Sequence, residues 1–187
     1  MDAQVPFPGS GGGGGDGNGE GGVPKAFAVG YRPHTGDMMV YGGAMMTLVG
    51  VLAAVVHGSP VFFIASIVGS LCALYFHPTL DLNTPQLGAD TEGIFIARFG
   101  MIPWSEIAEI GVRHRALRTM HLSTLIVQTR RPLKEAIAVP DRIGLLGRLC
   151  AANARRKGGA IHVTLHTLGL PADAIGARLA ALQAASH

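Results

Sequence analysis

The sequence predicts a membrane α-hairpin joined to an α+β soluble domain, on three observations. Residues Met38 to His77 contain no Asp, Glu, Lys or Arg. Only His57-Gly58-Ser59-Pro60 parts the two apolar runs inside that stretch. After Pro78 charges return and the pattern becomes strand-rich, then helical. The chain thus divides into a Gly-rich tail over 1–36, a two-helix hairpin over 37–77 and a soluble domain over 78–187.

The tail centres on Ser10-Gly11-Gly12-Gly13-Gly14-Gly15-Asp16-Gly17-Asn18-Gly19-Glu20-Gly21-Gly22. Glycine loses the most backbone entropy on ordering, and this composition has almost nothing to bury, so disorder is expected. The glycines do not make a phosphate loop, which needs a preceding strand, a following helix and a Lys-Ser/Thr pair.

Each apolar run is close to the length that crosses about 30 Å of hydrocarbon at about 1.5 Å per residue. Tyr41, Tyr75 and His77 stand near the run ends, where interfaces favour amphipathic rings. A four-residue turn makes the helices antiparallel neighbours and puts both termini on one side. Lys25 and Arg32 precede the hairpin and no Lys or Arg sits in the turn, so the positive-inside rule places both termini in the cytoplasm. The small residues Gly43, Thr47, Gly50 and Ala54 share one face of the first helix, and Ala65, Gly69 and Ala73 one face of the second. Such faces allow close backbone approach in lipid, within the hairpin or between copies of the chain. Without an intramembrane acid or base, the hairpin lacks the usual mark of a transport pathway.

In the soluble domain, Gly93 to Phe99, Ile107 to Arg113 and Leu122 to Gln128 read as strands, with Ala136 to Val139 as a short partner. Asp141 is expected to cap a helix that carries Ile143, Leu146, Leu149 and Cys150 and stops at Gly158-Gly159. Arg155-Arg156-Lys157 then occupies the helix C-terminus, where the macrodipole attracts cations. Ile161 to His166 alternates as a half-buried strand, and Pro171 to about Ala185 forms a last helix with Ile175, Leu179 and Leu182 inward.

The net charge of +3 conceals an asymmetry, because the tail is acidic and the domain basic. Basic residues gather at Arg113, Arg115 and Arg118, at Arg130, Arg131 and Lys134, and at Arg155 to Lys157. A domain tethered beneath anionic lipid gains on the order of 1 kcal/mol per surface cation, so Arg113, Arg115, Arg118, Arg130 and Arg131 are candidates to face the bilayer. The domain is poor in aromatic residues to interleave with them, which argues against nucleic acid as partner.

Gly93-Ile94-Phe95-Ile96, followed by Gly100-Met101-Ile102-Pro103-Trp104-Ser105-Glu106-Ile107-Ala108-Glu109-Ile110, resembles the strand, turn and strand of bacterial pleckstrin-homology-like (PH-like) domains in small two-span membrane proteins. The resemblance covers roughly Pro78 to Ala185. It implies a strongly bent antiparallel sheet capped by the C-terminal helix, on the cytoplasmic face of the bacterial inner membrane, with Trp104 as a structural anchor between strands. The chain departs from the phosphoinositide-binding members at Gly88 to Gly93, which is acidic where they are basic. Phosphoinositide recognition is therefore not implied.

Catalytic constellations are hard to assemble. His162 and His166 on a strand are about 13 Å apart, too far for one metal. Cys72 and Cys150 suggest neither a zinc cage nor a disulfide framework. Glu106 and Glu109 are expected to be solvated rather than an acid pair. The expectation is a non-catalytic membrane module, without cofactor or metal, whose partners are membrane lipids and a protein partner or a second copy. The alternatives are a structural subunit of a larger membrane complex and, from the enzyme class, a membrane-tethered hydrolase lacking an identifiable nucleophile with its base.

Overall fold

The computed structural model describes residues 25–117, 120–141, 147 and 149–186. The Gly-rich tract, Arg118 and the first turns of the helix expected after Asp141 lie outside them.

Helix α1 (Asp37–His57) and helix α2 (Pro60–Phe76) form the hairpin. Asp37 sits in the first turn of α1, where a carboxylate suits the dipole, and accepts from the His34 ring at 2.7 Å. Gly58 ends the helix with φ 63° and donates its N–H to Ala54 O, a left-handed cap that a residue with Cβ rarely adopts. Pro60 then opens α2 at the position where its missing N–H costs nothing. Both segments, Asp37–His57 and Pro60–Leu80, are long and apolar enough to cross a membrane, with mean hydropathies of 2.0 and 1.7. Only 22% and 11% of their most apolar windows are buried, whereas the hairpin of a soluble core would be covered on most sides. Leu48, Leu52, Val55, Ile64 and Leu71 stand exposed around it.

The soluble domain holds two antiparallel sheets. The first runs β1 (Phe27–Val29), β2 (Leu87–Ala89), β3 (Gly93–Ile96), β4 (Gly100–Pro103) and β7 (Val139–Pro140). The second runs β5 (Ile107–Leu117), β6 (Met120–Thr129), β9 (Ala160–Thr164) and β8 (Ala154–Lys157). A single helical turn, α3 (Leu133–Ala136), precedes β7, and α4 (Ala172–Ala185) closes the domain. One core joins these layers: Leu87, Ile94, Ile96 and Ile102 from the first sheet, Leu125, Val127, Ile161 and Val163 from the second, and Ile175, Leu179 and Leu182 from α4. Burying each such side chain contributes about 1.5–3 kcal/mol. Trp104, 4% exposed, stands where the chain passes from one sheet to the other and donates its indole N–H to Asp90 O at 2.9 Å. An antiparallel α+β layout with a C-terminal helix over the sheets is thus present.

Three expectations need correction. The tail does not extend to residue 36, because Phe27–Val29 pairs in register with Leu87–Ala89 and buries Phe27 and Val29 in the core. The hairpin is therefore an insertion between two neighbouring strands of one sheet. The helix expected to run to Lys157 does not do so, since Ala154–Lys157 is an edge strand paired with β9. Gly158 and Gly159, at φ 59° and 85°, form the two-residue turn of that hairpin rather than a helix stop. Two consecutive positive φ values match the twist of the flanking strands, and glycine adopts them without strain. Finally, Gly93 to Phe99 is not one strand: β3 ends at Ile96, and Arg98 turns the chain with φ 74°.

Candidate membrane-facing site

Along the hairpin seam the backbones approach closely. A Cβ added at Gly43 would lie 2.7 Å from Gly69 O, and one at Gly69 2.6 Å from Gly43 O. Gly50 similarly meets Ser66 and Phe62 O, Ala54 is buried, and Ala73 lies against Gly43. Ala65 is half-buried at the margin of the seam. Thr47 Oγ1 donates to Gly43 O at 2.9 Å and lies 3.1 Å from Ser70 Oγ, while Ser66 Oγ donates to Phe62 O. Ser66 and Ser70 belong to the same face and were the part of the seam that small-residue spacing missed. The small residues of both helices thus meet one another within a single chain.

Several contacts tie the foot of the hairpin to one end of the second sheet. Before α1, Tyr31 bridges Leu168 and Arg32 N–H donates to Thr167 O at 2.8 Å. After α2, Ala151 N–H donates to Tyr75 O at 2.8 Å and the Cys150 thiol lies 3.5 Å from Leu74 O. Residues 151 and 168 flank the start of β8 and the end of β9, which are the same end of the sheet. Past that end, β5 and β6 continue as a two-stranded ribbon. Thr124 is the last β6 residue in register with β9, yet His114–Ser123, Arg115–Leu122, Ala116–His121 and Leu117–Met120 remain paired. At about 3.4 Å per residue the ribbon runs about 13 Å beyond the sheet, toward the hairpin.

Register sorts the cations. Val112, Leu125 and Val163 share a row with buried Ala154, so alternation puts Arg113, Arg115, Arg155 and Lys157 on the opposite, outer face. Arg113 and Arg115 stand on one edge strand, Arg155 and Lys157 on the other, three strand spacings or about 14 Å apart. Glu109 shares that face at its far end. Arg130 and Arg131 are placed elsewhere. Arg130 Nε donates to Ile107 O at 3.2 Å and Arg131 pairs with Glu106 at 3.0 Å, both at the end of the strand pair remote from the hairpin. Glu106, with a side chain 16% exposed, is thus ion-paired and enclosed rather than solvated, and its Oε2 lacks a partner among the described residues.

At the hairpin foot lies a cleft of about 170 Å³ lined by Tyr31, Pro78, Thr84, Arg98, Asp141 and Asn153, among others. Arg98 donates to Gly147 O and, at 2.7 Å, to Cys150 O, and its backbone N–H bonds Asp141 Oδ2 at 2.8 Å. Burial pushes the Tyr31 phenol above its ordinary value, partly opposed by the Arg98 charge and the Asn153 N–H. Asn153 is 6% exposed. Its Oδ1 accepts from Thr167 Oγ1 at 2.8 Å, but Nδ2 has no partner among the described residues. A buried donor left so costs about 1–3 kcal/mol. No sequence motif links residues 31, 98 and 153, and only the fold brings them together.

Among the described residues no group of three or more His, Cys, Asp or Glu side chains is placed to hold a metal. His162 lies within β9 and His166 beyond its end, and Cys72 and Cys150 are free thiols. Comparison of the chain with protein-family models, curated proteins and solved structures finds no match.

Proposed function

We propose that this chain is a non-catalytic module of the bacterial inner membrane. Its hairpin spans the bilayer, both termini are cytoplasmic, and the PH-like domain that carries the hairpin as an insertion holds its basic ribbon against anionic headgroups. The observation that carries the reading is the register of β5 and β6, which puts Arg113 in the last row of the sheet at the hairpin end and Arg115 on the ribbon beyond it. Exposed apolar faces on both helices, and an exposed Lys25 and Arg32 ahead of α1, support the anchor and its orientation. Arg113 and Arg115 near anionic lipid are worth about 2 kcal/mol together, roughly a thirtyfold preference.

Two measurements test it. The first is accessibility in intact cells of single cysteines at Ser59 and Ser186, in a background lacking Cys72 and Cys150. An impermeant reagent is expected to label the Ser59 site alone, and labelling of the Ser186 site instead overturns the orientation. The second places an environment-sensitive fluorophore on a cysteine at Thr124 and reconstitutes the full chain into vesicles. Phosphatidylglycerol is expected to shift emission to the blue relative to phosphatidylcholine. Arg113→Gln with Arg115→Gln should remove the shift and Arg130→Gln with Arg131→Gln should not. Equal effects of the two pairs overturn the assignment.

A further inference from the structure

We propose that the open edge of β5 takes up an extended, acidic segment of a partner protein as an added antiparallel strand. The proposal goes beyond the lipid reading of Arg113 and Arg115 and concerns the backbone beside them.

Hydrogen-bond direction shows which backbone groups are open. Leu165 N–H donates to Ser123 O at 2.8 Å, so Ser123 turns its backbone toward β9. Alternation then turns Leu122, Thr124, Ile126 and Gln128 toward β5, where they pair with Arg115, Arg113, Gly111 and Glu109. Ile110, Val112 and His114, which lie between these, point N–H and C=O away from the sheet, and none has a backbone partner on that side among the described residues. β5 is 11 residues long and stands outermost in its sheet. Its bulge, at Ile107/Glu109, comes before this stretch, and no proline interrupts it. A long edge of this kind is a template for a further strand.

The side chains set the chemistry of the occupant. In the new pair Ile110, Val112 and His114 become the hydrogen-bonded positions. Gly111, Arg113 and the residues two away on either side become the non-bonded ones, whose cross-strand partners come within about 4.5 Å at Cα. Arg113 and Arg115 are exposed and neither has an acidic partner among the described residues. They suit carboxylates two residues apart, with a cation opposite Glu109. On the other face Ile110 and Val112 are half-buried beside α4, where a Cβ at Gly176 would lie 3.2 Å from Val112 Cγ2, so the intervening residues of the partner are apolar. A second copy does not meet these terms in one bilayer. Antiparallel pairing of two β5 edges turns about an axis normal to the sheet and sends the two hairpin feet to opposite ends. That exclusion rests on the membrane reading, whereas the edge and its charges do not.

The test is fluorescence anisotropy of labelled Glu-Val-Glu-Val-Thr-Val-Lys with the full chain in dodecyl maltoside micelles, which are uncharged and leave Arg113 and Arg115 unclaimed by lipid. Saturable binding is expected. N-methylation of the peptide at its valines, whose amides face β5, should weaken binding about tenfold or more, while N-methylation at the threonine and the second glutamate should not. Arg113→Gln with Arg115→Gln should weaken it about fivefold, and Arg130→Gln with Arg131→Gln should not. Absence of binding, equal effects of the two methylation patterns, or no response to the Arg113 and Arg115 changes each overturns the proposal. A dimer of the chain that the peptide dissociates overturns it as well, because the edge then belongs to a second copy. None of these outcomes moves the labelling at Ser59 and Ser186, which decides the membrane reading separately.

Discussion

Thr47 of α1 and Ser70 of α2 place their hydroxyl oxygens 3.1 Å apart across the hairpin, one helical turn from the point where Gly43 and Gly69 press backbone to backbone. The two features act differently. In hydrocarbon the hydroxyl pair gains little over its alternatives, because Thr47 also bonds Gly43 O within its own helix. The glycines set the distance at which any contact forms.

Bulk at the glycine crossing should therefore cost more than loss of the hydroxyl. Gly43→Val and Gly69→Val each drive a Cβ to under 3 Å from the opposing carbonyl and should destabilise the hairpin by about 1–3 kcal/mol. Thr47→Val should cost about 0.6 kcal/mol. Denaturant midpoints in micelles check the order, and a Thr47→Val effect as large as the glycine effects would mean that close packing is not what chiefly holds the two helices together.

Phe27 precedes the hairpin by ten residues yet belongs to the core of the domain that follows it, through β1. Phe27→Ala should cost about 3 kcal/mol or more in domain stability. Removal of residues 1–24 should cost the domain little. Thermal melts of the full chain, the shortened one and Phe27→Ala decide this, and a Phe27→Ala melt unchanged from the full chain would mean that β1 contributes nothing to the core.

The hairpin was legible because forty residues without a charge have few other uses, and α4 because Ile175, Leu179 and Leu182 keep a clean helical period. Strand β8 was not. Arg155-Arg156-Lys157 sits on an edge and only Ala154 of that strand is buried, so no apolar alternation announces it. Gly158-Gly159 punctuates a helix and a hairpin equally well in sequence. β1 is three residues beside a glycine-rich tract, too short for a periodic signal. The cleft was hidden for another reason, because Tyr31, Arg98 and Asn153 meet only after strand pairing brings distant segments together.

The turn between β8 and β9 offers a direct test of strand against helix. Gly158→Ala and Gly159→Ala each force a Cβ into left-handed backbone and should cost about 1–2 kcal/mol. Gly158→Asn should be nearly neutral, since asparagine followed by glycine suits this turn. At a helix C-cap only the one glycine in left-handed backbone would resist alanine, and the other alanine would be neutral or stabilising. Melting temperatures of the three variants separate the two structures by sign.

Alkaline titration reports on the wall of the cleft. The Tyr31 phenol is raised from 10.0 by burial, so the folded chain keeps a proton that the unfolded chain has lost in the interval above that value. The unfolded state then binds fewer protons, and stability must fall as pH rises. The contribution is complete below about pH 10 and disappears as pH climbs through the folded value. Tyr31→Phe removes the titrating group and should flatten that part of the curve, with a smaller change near neutral pH where the wild-type phenol is protonated in both states. Melts of the two proteins across this range measure the difference. Identical alkaline slopes would show that Tyr31 is not enclosed, and with it that the hairpin foot is open to water rather than sealed against the sheet.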